Sequence, residues 1–88
     1  LKVKNKKKQK VIVSWKWQDA QGFQIEYALN KKFTKKKKSK WSSRLTKKTI
    51  TNLKKGKTYY IRVRAYRKSS GGKIYGTWSK IKKIKVRL

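Results

Sequence analysis

The sequence contains no cysteine and no histidine, and only two of its 88 residues are acidic. Without cysteine and histidine the chain can form no disulfide and lacks the usual zinc ligands. Its longest uninterrupted apolar run, Val11-Ile12-Val13, has three residues, whereas a membrane-spanning helix needs about 20. The sequence therefore predicts a small domain without a disulfide, a metal site, a cofactor or a transmembrane segment.

Positive charge dominates the composition. Thirty Lys and Arg residues against two acidic residues give a net charge of +28, and Lys outnumbers Arg by 25 to 5. Charge of this size would by itself favour disorder. Four Trp, five Tyr and two Phe, together with alternating Val and Ile, supply the apolar side chains that disordered basic tails lack. We predict one folded domain over residues 1–88 with a cationic surface and a thin core, because chains of this length bury only about 60–65% of their unfolded surface.

Residues 48–66 carry the clearest strand signal. In their second half two sets of residues alternate: Tyr59, Ile61, Val63 and Ala65 on one side, and Tyr60, Arg62, Arg64 and Tyr66 on the other. A period of two is typical of a half-buried strand. Gly56 supplies the permissive backbone of a turn before it. Leu53 is apolar where a turn is normally polar, so we expect another part of the fold to cover it.

Further segments with the same alternation, or next to turn-forming residues, complete the predicted fold. They are residues 1–5, 11–17, 23–29, 41–46, 49–51 and 73–87, the last with a break at Gly76. The lysine-rich connection between residues 30 and 40 contains one apolar residue, Phe33, and residues 69–72 form a hairpin turn. No segment shows helical spacing. Seven short strands with turn signals about every 8–12 residues favour an all-β sandwich.

Three segments resemble the fibronectin type III domain: VIVSW with Trp15, FQIEY with Tyr27, and TITNLKKGKTYYIRVRAY with Leu53 six positions before Tyr59. The resemblance covers nearly the whole chain and implies a seven-stranded immunoglobulin-like sandwich. It implies that Trp15, Tyr27, Leu53 and Tyr59 are structural core residues. Tyr59 would be the corner tyrosine, whose hydroxyl bonds back to the backbone near the turn.

The lysine-rich composition and the Tyr-Gly-x-Trp-Ser-Lys ending at residues 75–80 are similar to those of fibronectin type III domains in secreted or wall-attached proteins of Gram-positive bacteria. In those proteins such modules stand in tandem as spacers or accessory binding units. The resemblance implies an extracellular module, secreted or associated with the cell wall, that was excised from a multidomain protein. It also implies that the isolated domain is a monomer and that its partners are neighbouring domains of the same chain.

Catalysis is not expected from the two carboxylates, Asp19 and Glu26. An acid/base pair would need them to converge with shifted pKa values. We expect Asp19 in the loop after the second strand and Glu26 on the outward face of the third. The interpretation that we favour for Glu26 is a cross-strand ion pair with Arg62 or Arg64. The sequence therefore predicts a protein that is not an enzyme and has no small-molecule substrate.

The lysine clusters are candidate anion-binding residues. In the family's connectivity three loops meet at one pole, and they contain Lys6, Lys7, Lys8, Lys10, Lys35, Lys36, Lys37, Lys38, Lys54, Lys55 and Lys57. The opposite pole, with residues 19–22, 42–43 and 69–72, is nearly uncharged. A basic pole attracts polyanions such as teichoic acid, acidic glycans, anionic membranes or nucleic acid. The alternative, of equal weight, is that these lysines only solubilise the domain. Specific nucleic-acid binding is less favoured, because hydrogen bonding to base edges and bidentate contacts with phosphate are made mainly by Arg, of which the chain has few.

The aromatic residues divide into two groups. We assign Trp15, Tyr27, Tyr59, Phe23 and Phe33 to the core. The residues Tyr60, Arg62, Arg64 and Tyr66 form a candidate aromatic/Arg face that would stack a sugar ring or hold an acidic glycan. The alternative that we favour is that lysine stems cover those rings. Trp41 and Trp78 are also candidates for a contact between modules.

Overall fold

Eight antiparallel strands form two sheets in a computed structural model that describes residues 1–16, 20–43 and 45–87. The strands are β1 (Lys2–Lys6), β2 (Lys10–Ser14), β3 (Gly22–Ala28), β4 (Lys38–Ser42), β5 (Lys47–Ile50), β6 (Thr58–Ser69), β7 (Gly72–Tyr75) and β8 (Lys82–Lys85). One sheet has the order β1-β2-β5; in the other the order is β4-β3-β6, and both β7 and β8 pair with β6. The architecture is the predicted immunoglobulin-like β-sandwich. Across the described ranges no helix is long and apolar enough to cross a membrane.

The last predicted strand is interrupted at Gly76, as the sequence indicated. Residues 76–81 separate β7 from β8, so the structure has eight strands where seven were predicted. This segment stays attached to β6, because the Gly76 N–H donates to the Ala65 carbonyl at 2.9 Å and the Ser79 N–H donates to the Val63 carbonyl at 2.8 Å. Residues 76–81 therefore leave the regular strand pairing but remain hydrogen-bonded to β6.

The edge strand predicted at residues 41–46 is wrong in position, since β4 spans Lys38–Ser42. Asn30 closes the preceding loop: its side-chain oxygen accepts hydrogen bonds from the backbone N–H groups of Thr34 and Lys35, both at 2.9 Å. This compact loop lets pairing with β3 begin earlier than the lysine run suggested. Lysine is well tolerated on an edge strand because it discourages pairing with other chains. Arg44 lies outside the described residues.

The core between the sheets consists of the apolar residues that alternate along the strands. Its buried members are Val11, Val13, Phe23, Ile25, Tyr27, Ile50, Leu53, Tyr59, Ile61, Val63 and Val86. Each fully buried aliphatic or aromatic side chain contributes about 1.5–3 kcal/mol. Trp15 follows β2, is partly buried and packs edge-on against Phe23 with ring centroids 5.4 Å apart. The predicted second strand extends to Trp17, which lies outside the described residues.

The turn between β5 and β6 is fixed by two hydrogen bonds, one to a side chain and one within the backbone. The Tyr59 hydroxyl accepts a hydrogen bond from the Lys54 N–H at 2.9 Å, which is the contact expected of a corner tyrosine. The Lys57 N–H donates to the Lys54 carbonyl at 3.3 Å, and Gly56 at the third position of this turn has φ of +83°. A positive φ at that position is what a type II turn requires. The turn is thus held to β6 by a hydrogen bond and is shaped by a glycine.

Candidate functional site

Antiparallel pairing brings the β1–β2, β3–β4 and β5–β6 loops and the end of β8 to the same end of the sandwich. Hydrogen bonds join several of these segments. The Leu53 N–H donates to the Gln9 carbonyl at 3.2 Å, and the Gly56 N–H donates to the Val86 carbonyl at 2.8 Å. We call this end, formed by residues 7–9, 29–37, 51–57 and 86–87 with the adjoining strand ends, the lysine-rich end.

The predicted anion-binding lysines lie in these loops or in the strand residues next to them. Ten of the eleven are exposed, and Lys10 is half-buried. Among the described residues the one carboxylate near them belongs to Glu26, whose Oε2 is 4.0 Å from the Lys37 Nζ. The lysine-rich end therefore presents many solvated ammonium groups with little neutralising charge on the described part of the chain.

The opposite end carries the β2–β3, β4–β5 and β6–β7 loops. Gln21 ties two of its segments together, because its backbone N–H donates to the Tyr66 carbonyl at 3.1 Å and its side chain accepts from the Lys68 N–H. Leu1 also lies here, since β1 pairs Lys2 with Ser14 at the far end of β2. The acidic residue predicted for this end, Asp19, lies outside the described residues. The chain thus enters the sandwich at this end and leaves it at the lysine-rich end.

The outward face of β3 carries a buried ion pair. Glu26 is only 4% exposed although it points away from the core. The Arg62 Nε donates to the Glu26 Oε1 at 2.9 Å, and the Arg62 Nη2 donates to the same oxygen. The cross-strand pair expected from the sequence is therefore present, and the carboxylate is committed to it. What the sequence did not indicate is that this outward pair is covered.

The cover is a stack of rings and guanidinium groups. The Arg62 guanidinium lies 4.1 Å from the Phe33 ring centroid and 4.2 Å from that of Trp78. The Arg64 guanidinium lies 4.2 Å from the Trp78 ring centroid and 3.7 Å from that of Tyr75. The order is thus Phe33, Arg62, Trp78, Arg64, Tyr75. Each contact contributes about 0.5–2 kcal/mol, more when it is shielded from water. We call these five residues the arginine–aromatic layer.

This layer corrects the expectation for Phe33. The residue is buried, at 4% exposure, but it lies against Arg62 on the outer face of the second sheet rather than in the core between the sheets. The side-chain oxygen of Gln24 accepts from the Arg64 Nε at 2.8 Å. Both guanidinium groups therefore have ring contacts and a hydrogen-bond acceptor within the domain. Such groups are poorly placed to hold an acidic glycan.

Tyr66 is buried, although the sequence places it on the outward candidate face. It is 9% exposed, and its ring centroid lies 5.6 Å from that of Trp41 and 6.5 Å from that of Tyr75. The Lys73 Nζ lies 4.3 Å from the Trp41 ring centroid and 5.3 Å from that of Tyr66, so the lysine cover that we favoured for the candidate face is present at Tyr66. Gly22 makes room for the Tyr66 side chain, because a Cβ at position 22 would lie 2.5 Å from the Tyr66 Oη. Of the four candidate-face residues, only Tyr60 lacks a place in these contacts.

Sequence reasoning missed Tyr75 and Trp78 as partners of the two arginines. The available signal was the loss of strand periodicity after Gly76 together with two arginines on alternate positions of β6. Aromatic residues in a segment that no longer alternates need a surface to cover. The neighbouring strand offers that surface in Arg62 and Arg64.

The fold and these positions can be compared with known proteins. The family described as "Fibronectin type III domain" matches residues 1–81. The chain belongs to the fibronectin type III domain family. No curated protein sequence matches the chain significantly.

Solved structures give the same fold at low sequence identity. The FN5 domain of Drosophila Lar is 22% identical with a TM-score of 0.78, over 99% of this chain and 90% of that one. A myokine structure is 21% identical with a TM-score of 0.73, over 99% and 92%. The twitchin kinase region of C. elegans is 22% identical with a TM-score of 0.69, over 91% of this chain and 14% of that one. Fibronectin type III domains are generally non-enzymatic modules linked to other domains, as in the twitchin region.

Proposed function

We propose that this fibronectin type III domain is a non-catalytic module that spaces and presents the neighbouring domains of an extracellular, secreted or wall-attached bacterial protein. The observation that carries the proposal is the course of the chain, which enters at one end of a body measuring 42 × 24 × 20 Å and leaves at the other. A module of this form adds most of its long axis to a tandem array. The net charge of +28 keeps successive copies apart. The bacterial setting is supported by the lysine-rich composition.

The spacing function can be tested by small-angle X-ray scattering on chains of one, two and three tandem copies. We expect the maximum dimension to grow by nearly the 42 Å long axis with each copy, because like-charged modules repel each other. The single domain at the same protein concentration is the control for association. Growth of less than half of this length per copy would mean that the modules fold back on each other and would contradict a spacer.

A second function, adhesion to anionic wall or host polymers, is favoured by the exposed lysines of the β1–β2, β3–β4 and β5–β6 loops. Polymer binding through such groups releases counterions and weakens steeply with salt. The test is binding to purified teichoic acid, heparin and DNA across a salt series. A preference for one polymer that persists at about 150 mM salt supports adhesion. Weak and equal binding to all three polymers that vanishes with salt contradicts it.

The matched variants for this test change four lysines to glutamine in each case. One replaces residues 35–38 in the β3–β4 loop and at the start of β4. The control replaces Lys2, Lys4, Lys82 and Lys83, which lie on β1 and β8 at the other edge of the sandwich. Both variants have the same net charge, so a loss of binding confined to the first locates adhesion at the lysine-rich end.

A further inference from the structure

A pocket of about 270 Å³ opens between β4 and the β5–β6 loop, next to the lysine-rich end. Its lining includes the ring residues Tyr27 and Tyr59 and the apolar side chain of Leu53, all of which belong to the buried core. This volume is near the lower limit of about 300 Å³ for small-molecule sites. The pocket is therefore of a size for one small group rather than for a folded partner.

Strand pairing explains why the pocket exists. Lys38 pairs with Tyr27 and Lys40 pairs with Ile25 in the register of β3 with β4. Because paired residues lie on the same face of a sheet, these two lysines stand on the face of β4 that is directed toward the interior. The first sheet ends at the four-residue strand β5, so this part of β4 is incompletely covered. Both lysines are exposed as a result.

Two further lysines reach the same pocket from separate loops. Lys36 comes from the β3–β4 loop and Lys54 from the β5–β6 loop, and both line the cavity with Lys38 and Lys40. Four lysine side chains from three segments thus line a cavity that also has aromatic and aliphatic walls. An ammonium group is a point charge with three donors, which suits phosphate-type oxyanions.

The two tyrosines add neutral hydrogen-bond donors to these charges. The Tyr59 hydroxyl accepts the hydrogen bond from the Lys54 N–H at 2.9 Å and so retains its own O–H for donation. Burial, with a smaller contribution from Tyr59, raises the pKa of Tyr27 above its usual value of 10.0. Tyr27 therefore keeps its proton at neutral pH and is available as a donor.

We propose that this pocket binds an oxyanion ester, meaning a phosphate or sulfate group carried on a polyol or sugar. The oxyanion lies among the ammonium groups of Lys36, Lys38, Lys40 and Lys54, and the organic part lies against Tyr27. The inference rests on the second of the two proposed functions, adhesion to anionic polymers, and names the place where one repeat of such a polymer is held. The tetrahedral group of such an ester presents its two or three terminal oxygens to donors that approach from several sides, whereas a carboxylate presents two oxygens in one plane.

Protection of an edge strand is the competing explanation for two of these residues. Inward-pointing charges keep edge strands from pairing with other chains, and this would account for Lys38 and Lys40. It does not account for Lys36 and Lys54, which come from loops and meet the strand lysines around a cavity. Convergence of separate segments is what distinguishes a binding site from a protected edge.

The test is isothermal titration of the 88-residue domain with glycerol 3-phosphate and, separately, with glucose 6-sulfate, at about 150 mM salt. The first arm reports phosphate esters and the second reports sulfate esters. The pocket variant changes Lys36, Lys38, Lys40 and Lys54 to Gln. The matched control changes Lys6, Lys7, Lys8 and Lys10 to Gln, which removes the same charge beside the same end but outside the pocket. Far-UV circular dichroism checks that both variants remain folded.

We expect saturable binding of at least one ester, weakened at least about tenfold in the pocket variant and less than about threefold in the control. Two tyrosine variants, which leave the net charge unchanged, separate the contribution of hydrogen bonding to ester binding from that of charge. Tyr27→Phe should weaken binding about two- to tenfold, whereas Tyr60→Phe, on the outer face, should leave it unchanged. Pure charge attraction predicts no effect from either tyrosine change.

Two results would overturn the proposal that the pocket binds an oxyanion ester. One is that the two lysine variants weaken ester binding equally, and the other is that neither ester binds the wild-type domain. Polymer binding is measured on the same variants, so the outcome for adhesion is separate. If teichoic acid or heparin still binds while both esters fail, adhesion stands and the pocket does not. If the pocket variant binds polymer as well as wild type does, the pocket also fails.

Discussion

Replacing Arg62 with methionine would leave the buried carboxylate of Glu26 without its main counter-charge. The Glu26 side chain is 6% exposed, and a second cation, the Lys37 Nζ, is 4.0 Å from its Oε2 and is itself 51% exposed. Removing one partner of a buried pair costs about 3–5 kcal/mol. The Arg62 contacts with Phe33 and Trp78 are lost as well. We expect Arg62→Met to remove about 3–5 kcal/mol from a total stability on the order of 5–15 kcal/mol.

Urea unfolding followed by tryptophan fluorescence would measure this loss in a double-mutant cycle. The set comprises Arg62→Met, Glu26→Gln and the combination of the two. Glu26→Gln removes the charge that Arg62→Met leaves buried, so the combination should be more stable than Arg62→Met alone, with a coupling of about 1–3 kcal/mol. Lys68→Met, at an exposed position of β6, controls for the loss of one positive charge. It should change stability by less than about 0.5 kcal/mol.

Two results would refute the reasoning. If Arg62→Met and Lys68→Met cost the same, the pair with Glu26 contributes nothing beyond net charge. If the double variant is no more stable than Arg62→Met alone, the unpaired carboxylate of Glu26 does not destabilise the domain, and burial of this ion pair adds nothing to the effect of removing Arg62.

Three further predictions concern the backbone and pH. Gly22→Ala should lower stability by about 1–3 kcal/mol, because its Cβ would lie 2.5 Å from the Tyr66 Oη; an unchanged melting temperature would contradict this. Gly56→Ala should cost about 1–2 kcal/mol for its φ of +83°, whereas Gly71→Ala, with open space around it, should stay within about 0.5 kcal/mol; equal costs would be inconsistent with a type II turn. Burial raises the pKa of Tyr27 in the folded state. The protonated phenol therefore contributes its full share to folding stability below the unfolded pKa of about 10, and this contribution is lost as pH rises through the folded pKa. In urea titrations from about pH 9 to 11, Tyr27→Phe should therefore lose stability less steeply than wild type, and equal slopes would contradict the shift.

The predictable part of the fold is the part governed by local alternation. The period of two in β6 and β3 and the break at Gly76 follow from sequence spacing and turn chemistry, whereas the hydroxyl contact of Tyr59 follows from the resemblance to the fibronectin type III domain. The position of β4 does not, because its backbone pairs with β3 beneath a run of lysines that resembles a loop. A lysine-rich composition does not distinguish a loop from an edge strand whose lysine side chains are exposed.

The outer face of the second sheet was harder to predict for a different reason. Alternation correctly separates inward from outward positions, but it equates outward with exposed. Tyr66 is outward and buried, and Phe33, which we had assigned to the core, is buried there too, because arginines and rings from other segments form a second apolar layer on this face. The pocket depends similarly on the register that turns Lys38 and Lys40 inward. Tertiary partners, rather than local pattern, decide these features.

The central claim is that ligands meet this domain at the pocket beside the lysine-rich end and not at the arginine–aromatic layer. The most direct measurement is a titration of the ¹⁵N-labelled domain with glycerol 3-phosphate and glucose 6-sulfate at about 150 mM salt, followed by amide chemical shifts. The account predicts that shifts concentrate at Lys36, Lys38, Lys40 and Lys54, with little change at Arg62. Shifts spread evenly over all lysines, or centred on the layer, would contradict it.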